Sequence, residues 1–307
     1  MTETQSEAIG VRAAVRTAAT APNFLPYLAL AFGAIGMAFS AIFVKWAGAP
    51  GLVNGVYRMG IAALVMALPF GLEARQRRPL APKYIGLAIL AGMLFAGDLG
   101  TWNTSALITS AANSTLLANT SPLWVSLGAM VWFKERLNSA FWAGLLLALA
   151  GAVTILGADF LRHPTLGLGD LLALIAGFFY GAFFLAAQRA REGLSAMAAW
   201  WISAVASTIV LLILALAFQQ PLFGYSVMTY VNLVGIALVT QVGAYLAITY
   251  ALGHLPASIV SPTLLMQPVL TALLAVPLLG EHLSAVQISG GLIVIAGISL
   301  VHRSRGK

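Results

Sequence analysis

The stretch PLWVSLGAMVWFKERLNSAFWAGLLLALAG, residues 122–151, returns as PVLTALLAVPLLGEHLSAVQISGGLIVIAG, residues 268–297. A constant offset of 146 residues lays Pro122 on Pro268, Leu127 on Leu273, Ala129 on Ala275 and Glu135 on Glu281. The same offset lays Leu137 on Leu283, Gly144 on Gly290 and Gly151 on Gly297. Pro, Glu and Gly weigh more here than Leu, which any apolar sequence supplies. The chain is one module used twice, and in a membrane protein an internal repeat points toward transport.

Composition makes it a membrane protein. Of 307 residues, 60% are apolar and only 8% are charged, and the mean hydropathy is +0.93. A soluble chain of this length covers its surface with far more charge. The apolar runs can cross a hydrocarbon core of roughly 30 Å, which takes about 20 helical residues. Backbone groups must be paired inside such a core, and the runs lack the alternation of barrel strands, so they are helices. Ten transmembrane helices are predicted, at 24–46, 51–72, 82–103, 106–132, 139–158, 168–188, 196–218, 228–250, 256–279 and 284–302. The short connections leave no room for a soluble domain.

Charge placement supplies the orientation. With a cytoplasmic N-terminus, the internal segments hold Arg12, Arg16, Arg75, Arg77, Arg78, Lys83, Lys134, Arg136, Arg189, Arg191, Arg303, Arg305 and Lys307. The opposite side holds Arg162, while Lys45 and Arg58 fall within helices. This asymmetry puts both termini in the cytoplasm. The net charge of +7 therefore orients the protein and meets anionic membrane lipid; it does not point to nucleic acid. The absence of cysteine removes disulfides and thiolate chemistry. The first apolar run is too long for a signal segment and reads as an uncleaved span. Glu3 and Glu7 spoil the acid-poor pattern of an organelle transit peptide.

The expected organisation is a tail (1–23), a five-helix unit (24–158), a second five-helix unit (166–302) and a tail (303–307). Five spans separate each landmark from its copy, and five is odd. Glu135 then lies in a cytoplasmic turn and Glu281 in an external one, so the second unit is inverted. The fold class is an all-α integral membrane protein of ten helices in two inverted five-helix repeats. Such repeats place a substrate site near the bilayer midplane. The first span of each unit agrees more loosely: Phe39-Ser40 before Phe43 parallels Tyr180-Gly181 before Phe184 at a shift of 141.

These features resemble the drug/metabolite transporter superfamily, in particular its bacterial EamA-type permeases. The resemblance covers nearly the whole chain. It rests on the ends of the fourth spans, Ser121-Pro122 through Lys134-Glu135-Arg136-Leu137 and Gln267-Pro268 through Gly280-Glu281-His282-Leu283. The Gly-rich fifth spans that follow also fit. It implies a bacterial inner-membrane transporter, with a cavity drawn from spans 1, 3, 4, 6, 8 and 9. Relatives of this type export amino acids, metabolites or drugs, and some import. It names no substrate.

Ionisable residues inside a span are costly and default to function. Arg58 lies about 10 Å and Asp98 about 8 Å from the external side at 1.5 Å per residue, close enough in depth to pair. Asp98 then binds a substrate ammonium or a proton and Arg58 a carboxylate, or the two form a structural pair. Trp102 shares the Asp98 face, as a ligand-facing ring or as an interfacial belt residue. Lys45 snorkels to the interface or lines the entrance. The fourth span carries Ser110, Asn113, Ser114, Thr120 and Ser121 before Pro122, and the ninth carries Ser258, Ser261 and Gln267 before Pro268. These stripes line the cavity or mediate helix contacts. Pro122 and Pro268 bend their helices and free a carbonyl each. Gln241, Tyr245 and Thr249 form one polar edge of the eighth span, and Tyr180, Phe184 and Gln188 one of the sixth; both face either an amphipathic substrate or a neighbouring helix. Gly33, Gly36, Gly177 and Gly181 are packing contacts. Glu135 and Glu281 cap the following helix or pair with Arg136 and His282.

No enzyme emerges. His163, His254, His282 and His302 sit at loops or helix ends, no Ser/His pair shares a span, and no cofactor or metal motif is present. Neither charged rings nor a filter loop suggests a channel, and no ATP-binding motif suggests a pump. The expectation is a secondary transporter, as an exporter of an amino acid or related amphipathic solute, working by alternating access as a monomer or homodimer. Its driving force is either facilitated diffusion or proton antiport through Asp98. An intramembrane enzyme or a channel-like facilitator is the alternative.

Overall fold

The computed structural model describes residues 24–76, 80–108, 111–156, 167–279 and 283–305, and these are helical with short turns and no strand. Eight apolar stretches are long enough to cross a membrane, Ser139–Ile155 is a shorter apolar helix, and a further span is split in two. In order the spans are Leu25–Ala47, Gly51–Gln76, Pro82–Ile108, a pair Ala111–Ala118 and Ser121–Trp132, then Ser139–Leu156. The second set is Leu168–Ala190, Ala196–Ala217, a stack of Val227–Ile236, Ala237–Ala244 and Tyr245–Leu252, a pair Ala257–Thr263 and Met266–Leu279, and Ala285–Arg305. The tail 1–23, Arg77, Arg78, Ser110, Arg162, His163, Gly280, Glu281, His282 and residues 306–307 lie outside the described residues, as do the side chains of Lys45, Asn113 and Arg305.

The third helix runs five residues beyond the predicted 103, to Ile108. Its polar end looked like a connection. Instead Thr101 and Thr104 donate to the carbonyls of Gly97 and Gly100, at 2.7 and 2.8 Å, which lets hydroxyl residues stay helical.

The repeated glycines show how the two halves meet. A methyl group on Gly144 would lie 2.8 Å from the Gly297 carbonyl oxygen, and one on Gly151 would lie 2.7 Å from that of Gly290. The fifth and tenth spans thus touch backbone to backbone, a contact that only small residues allow. As numbers rise along one helix they fall along the other, so the two run antiparallel. Because Gly290 and Gly297 are the copies of Gly144 and Gly151, each contact is the image of the other. A twofold axis in the membrane plane does this, and it inverts one repeat relative to the other.

The rest of the packing obeys the same symmetry. Span 2 packs on span 7; span 3 packs on span 6 as span 8 packs on span 1; span 3 packs on span 7 as span 2 packs on span 8; span 4 packs on span 6 as span 9 packs on span 1. Helix starts repeat too. Asn138 accepts from the Phe141 amide at 2.8 Å, and Ser284, at the equivalent position, accepts from the Gln287 amide at 3.2 Å.

Spans 4 and 9 break within one residue of equivalent places, at Asn119-Thr120 and Leu264-Leu265, just before Pro122 and Pro268. Proline has no N–H, so Pro122 leaves the Ala118 carbonyl without its helical donor. Thr120 tightens the turn by donating both its amide and its hydroxyl to Leu117. Gly177 of span 6 closes over this break: a methyl there would lie 2.9 Å from Thr120 Oγ1 and 3.0 Å from the Ala118 oxygen. Gly177 and Gly181 are packing contacts, and what they admit is a broken backbone.

Candidate functional site

Arg58 is buried in the second span, only 4% exposed, and half of its guanidinium is already held. Gln241 of span 8, with its amide oxygen turned toward the cation, accepts from Nε at 2.9 Å and from Nη2 at 3.3 Å. Nη2 also donates to Ser40 of span 1 at 3.4 Å. Nη1 has no hydrogen-bond partner among the described residues, yet it is not among the side-chain atoms sealed from solvent. The Asp98 carboxylate is in the same condition: 9% exposed, unbonded among the described residues and unsealed. Arg58 and Asp98 lie within Coulombic reach of each other but form no ion pair within contact distance. Two opposite charges thus lie near each other inside the bundle without bonding directly.

Span 8 places Gln241 through an irregularity that apolar periodicity does not reveal. Residues Ala237–Ala244 form a π-helix, closed by the Tyr245 amide on the Thr240 carbonyl. Such segments are rare and gather at functional sites, because i→i+5 bonding re-aims side chains and carbonyls. Here the Gln241 carbonyl accepts from the Trp200 indole at 2.6 Å, which anchors the residue from behind while its amide faces Arg58.

An aromatic layer adjoins the charged pair. Trp200 stacks on Tyr245 with centroids 4.9 Å apart, and Phe95 meets Tyr245 edge-on at 4.9 Å. Phe95 sits one turn before Asp98, and Phe183 packs on it at 4.9 Å. The Tyr245 hydroxyl donates to the Tyr180 hydroxyl at 3.1 Å. Tyr180 is also within reach of Gln267 from span 9. Phe95, Phe183, Phe184 and Trp200 are fully buried, whereas Tyr180 is only partly buried. The layer is therefore packed, with a phenol edge toward the charges.

The structure thus brings together Arg58, Asp98, Gln241, Tyr245 and Tyr180. Trp102 lies one turn beyond Asp98 and is half-buried. Ser114 is occupied elsewhere: it accepts from Ser105 at 2.9 Å and donates to the Trp102 carbonyl at 3.4 Å, tying span 4 to span 3. Ser261 is 2% exposed and its hydroxyl has no partner. The Thr249 hydroxyl is in the same state. Ser258 donates to Glu135 at 2.5 Å, which joins the end of span 4 to the start of span 9. Gln188 accepts from the Ala257 amide at 2.7 Å, and Arg189 donates to the Trp132 carbonyl at 3.4 Å. These contacts close the Glu135 end of the bundle across the two repeats. Phe95 and Trp200 join the site beyond the residues first singled out, whereas Gln267 already stood on the ninth-span stripe and Ser40 in the match between the first spans of the two units.

Comparison with known proteins gives a consistent assignment. A sequence model of the EamA-like transporter family matches residues 24–157 and 167–303. An uncharacterized transporter of Archaeoglobus fulgidus is 29% identical over 202 residues, covering 62% of this chain and 67% of that one. The uncharacterized transporter YdfC of Bacillus subtilis is 21% identical over 280 residues, 87% of this chain and 90% of its own. A Salmonella typhimurium protein named as a probable amino-acid metabolite efflux pump is 28% identical over 185 residues, 57% of this chain and 61% of its own. A solved crystal structure shares the fold with a TM-score of 0.74 at 19% identity, over 92% of this chain and 98% of that one.

Proposed function

Because the chain belongs to the EamA-like transporter family, and is a membrane transporter rather than an enzyme, we propose that it exports a small zwitterion, an amino acid or close amphipathic relative, across a bacterial inner membrane. The observation that carries this is the pair of unmet charges at Arg58 and Asp98. A buried unpaired charge costs several kcal/mol, and a ligand with one charge relieves only one of the two. A zwitterion relieves both at once, with its carboxylate on Arg58 Nη1 and its ammonium on Asp98. Gln241 holds the other side of the guanidinium so that Nη1 stays turned to the ligand, and Tyr180 and Tyr245 give the side chain an aromatic wall. The name of the Salmonella relative supports the same class of substrate.

Alternating access follows from the inverted halves. With both termini cytoplasmic, the end closed by Glu135–Ser258 faces the cytoplasm, and release occurs from the Trp102 end. A second reading rests on the same unpaired carboxylate: Asp98 takes a proton once substrate leaves, so export is exchanged for proton entry. Counterflow in proteoliposomes tests the main reading. Zwitterions should be moved in preference to the matching amines and carboxylic acids; equal transport of all three would remove the claim.

A further inference from the structure

Asn54, on the second span one turn before Arg58, has no place in the mechanism so far. It is 3% exposed, and its side-chain nitrogen Nδ2 is sealed from solvent with no hydrogen-bond partner. A sealed amide donor left unmade is destabilising, and native structures satisfy nearly all of them. Residues four apart share a helix face, so Asn54 and Arg58 look the same way. Spans 2 and 3 are held in register by Asn103, which donates to the Gly51 carbonyl at 2.9 Å. Measured from that contact at 1.5 Å per residue, Asn54 lies roughly 4.5 Å, Asp98 roughly 7.5 Å and Arg58 roughly 10.5 Å deep. Asn54 and Arg58 thus bracket the level of Asp98.

We infer that Asn54 is a second carboxylate-binding residue: sealed in this closed packing, its amide N–H is uncovered when the bundle opens to substrate, and with the free Arg58 Nη1 it then holds the two oxygens of a substrate carboxylate at the depth where Asp98 meets the ammonium. The inference rests on the zwitterion reading above and adds the group that fixes the carboxylate's position along the bilayer normal. An arginine alone leaves its anion free to slide; a second donor one turn away sets where it stops. It also accounts for a buried amide that the protein itself leaves empty.

The test uses the full chain in proteoliposomes, with counterflow of the twenty labelled proteinogenic amino acids. For the one moved fastest, the amine that remains when its carboxyl is removed is the second probe. Asn54→Ala and the size-matched Asn54→Leu should raise KM for the amino acid about tenfold, the value of a hydrogen bond to a charged group. KM for the amine should stay within about twofold, because only the carboxylate contact is lost. Since the wild-type donor is unpaired, neither variant should melt below wild type. Unchanged KM for the amino acid, an equal loss for both probes, or a lowered melting temperature in both variants overturns the inference. If Arg58→Ala raises KM and Asn54→Ala does not, this inference alone fails. If wild type moves no amino acid, the zwitterion reading fails and this one with it.

Discussion

Adding one methyl group at Gly297 should loosen the seam between the repeats. A Cβ built there would lie 2.4 Å from the Ala148 amide nitrogen and 2.6 Å from the Gly144 oxygen. Both are backbone atoms, so no side chain can turn aside and the helices must part by about 1 Å to restore ordinary contact. A gap of that size forfeits about a quarter to a half of the dispersion energy of the facing atoms, and overpacking of this kind costs roughly 1–3 kcal/mol. Alanine returns about 0.5–1 kcal/mol through helix propensity. The net loss is about 1–2 kcal/mol, which in a chain of this size lowers Tm by roughly 2–4 °C. Gly71 and Gly86 have nothing within 4 Å of a built Cβ, so Gly71→Ala and Gly86→Ala should melt at or slightly above wild type. The double variant Gly144→Ala/Gly297→Ala should lose less than the two singles together, since one separation relieves both. Thermal unfolding followed by tryptophan fluorescence in detergent reads all of these. Gly297→Ala melting with or above the Gly86→Ala control would refute the backbone contact, and the twofold argument built on it.

Asp98→Asn should weaken substrate binding and remove any dependence of transport on a pH gradient; equal acceleration by the gradient in variant and wild type would remove proton coupling. Gln241→Leu strips the partner from a buried guanidinium, an expected loss of about 1–3 kcal/mol, whereas Gln241→Glu should keep the folded yield; equal yields of all three would show that the amide does not hold Arg58. Ser258→Ala deletes a hydroxyl from the Glu135 closure and should raise labelling of a cysteine placed at Gln188 by a water-soluble maleimide added from the cytoplasmic side. Unchanged labelling would show that this bond does not hold the end shut.

The sequence and the structure agree where one residue type leaves a signature that composition cannot imitate. The glycines at offset 146 are such a case: they forecast a repeat, and the structure shows Gly144 on Gly297 and Gly151 on Gly290. Arg58 and Asp98 stood out because charge is expensive in lipid. The hydroxyl residues were ambiguous in principle. Ser114 and Ser258 sit on stripes like Ser261, yet the first two are bound to neighbouring helices and the third is not. A small hydroxyl serves either use with the same spacing. The π-helix of span 8 left no trace, since i→i+5 bonding asks for no particular residue. Asn54 was missed because a single asparagine near a helix start looks like a polar end; only its sealed, unpaired nitrogen sets it apart.

The central claim is that Arg58 and Asp98 together select a zwitterion, and substrate preference after charge removal tests it most directly. Wild-type proteoliposomes should move an amino acid but move its amine and its carboxylic acid poorly. Arg58→Ala should narrow the margin over the amine, and Asp98→Asn the margin over the acid. Variants that lose all three probes in the same proportion would contradict it.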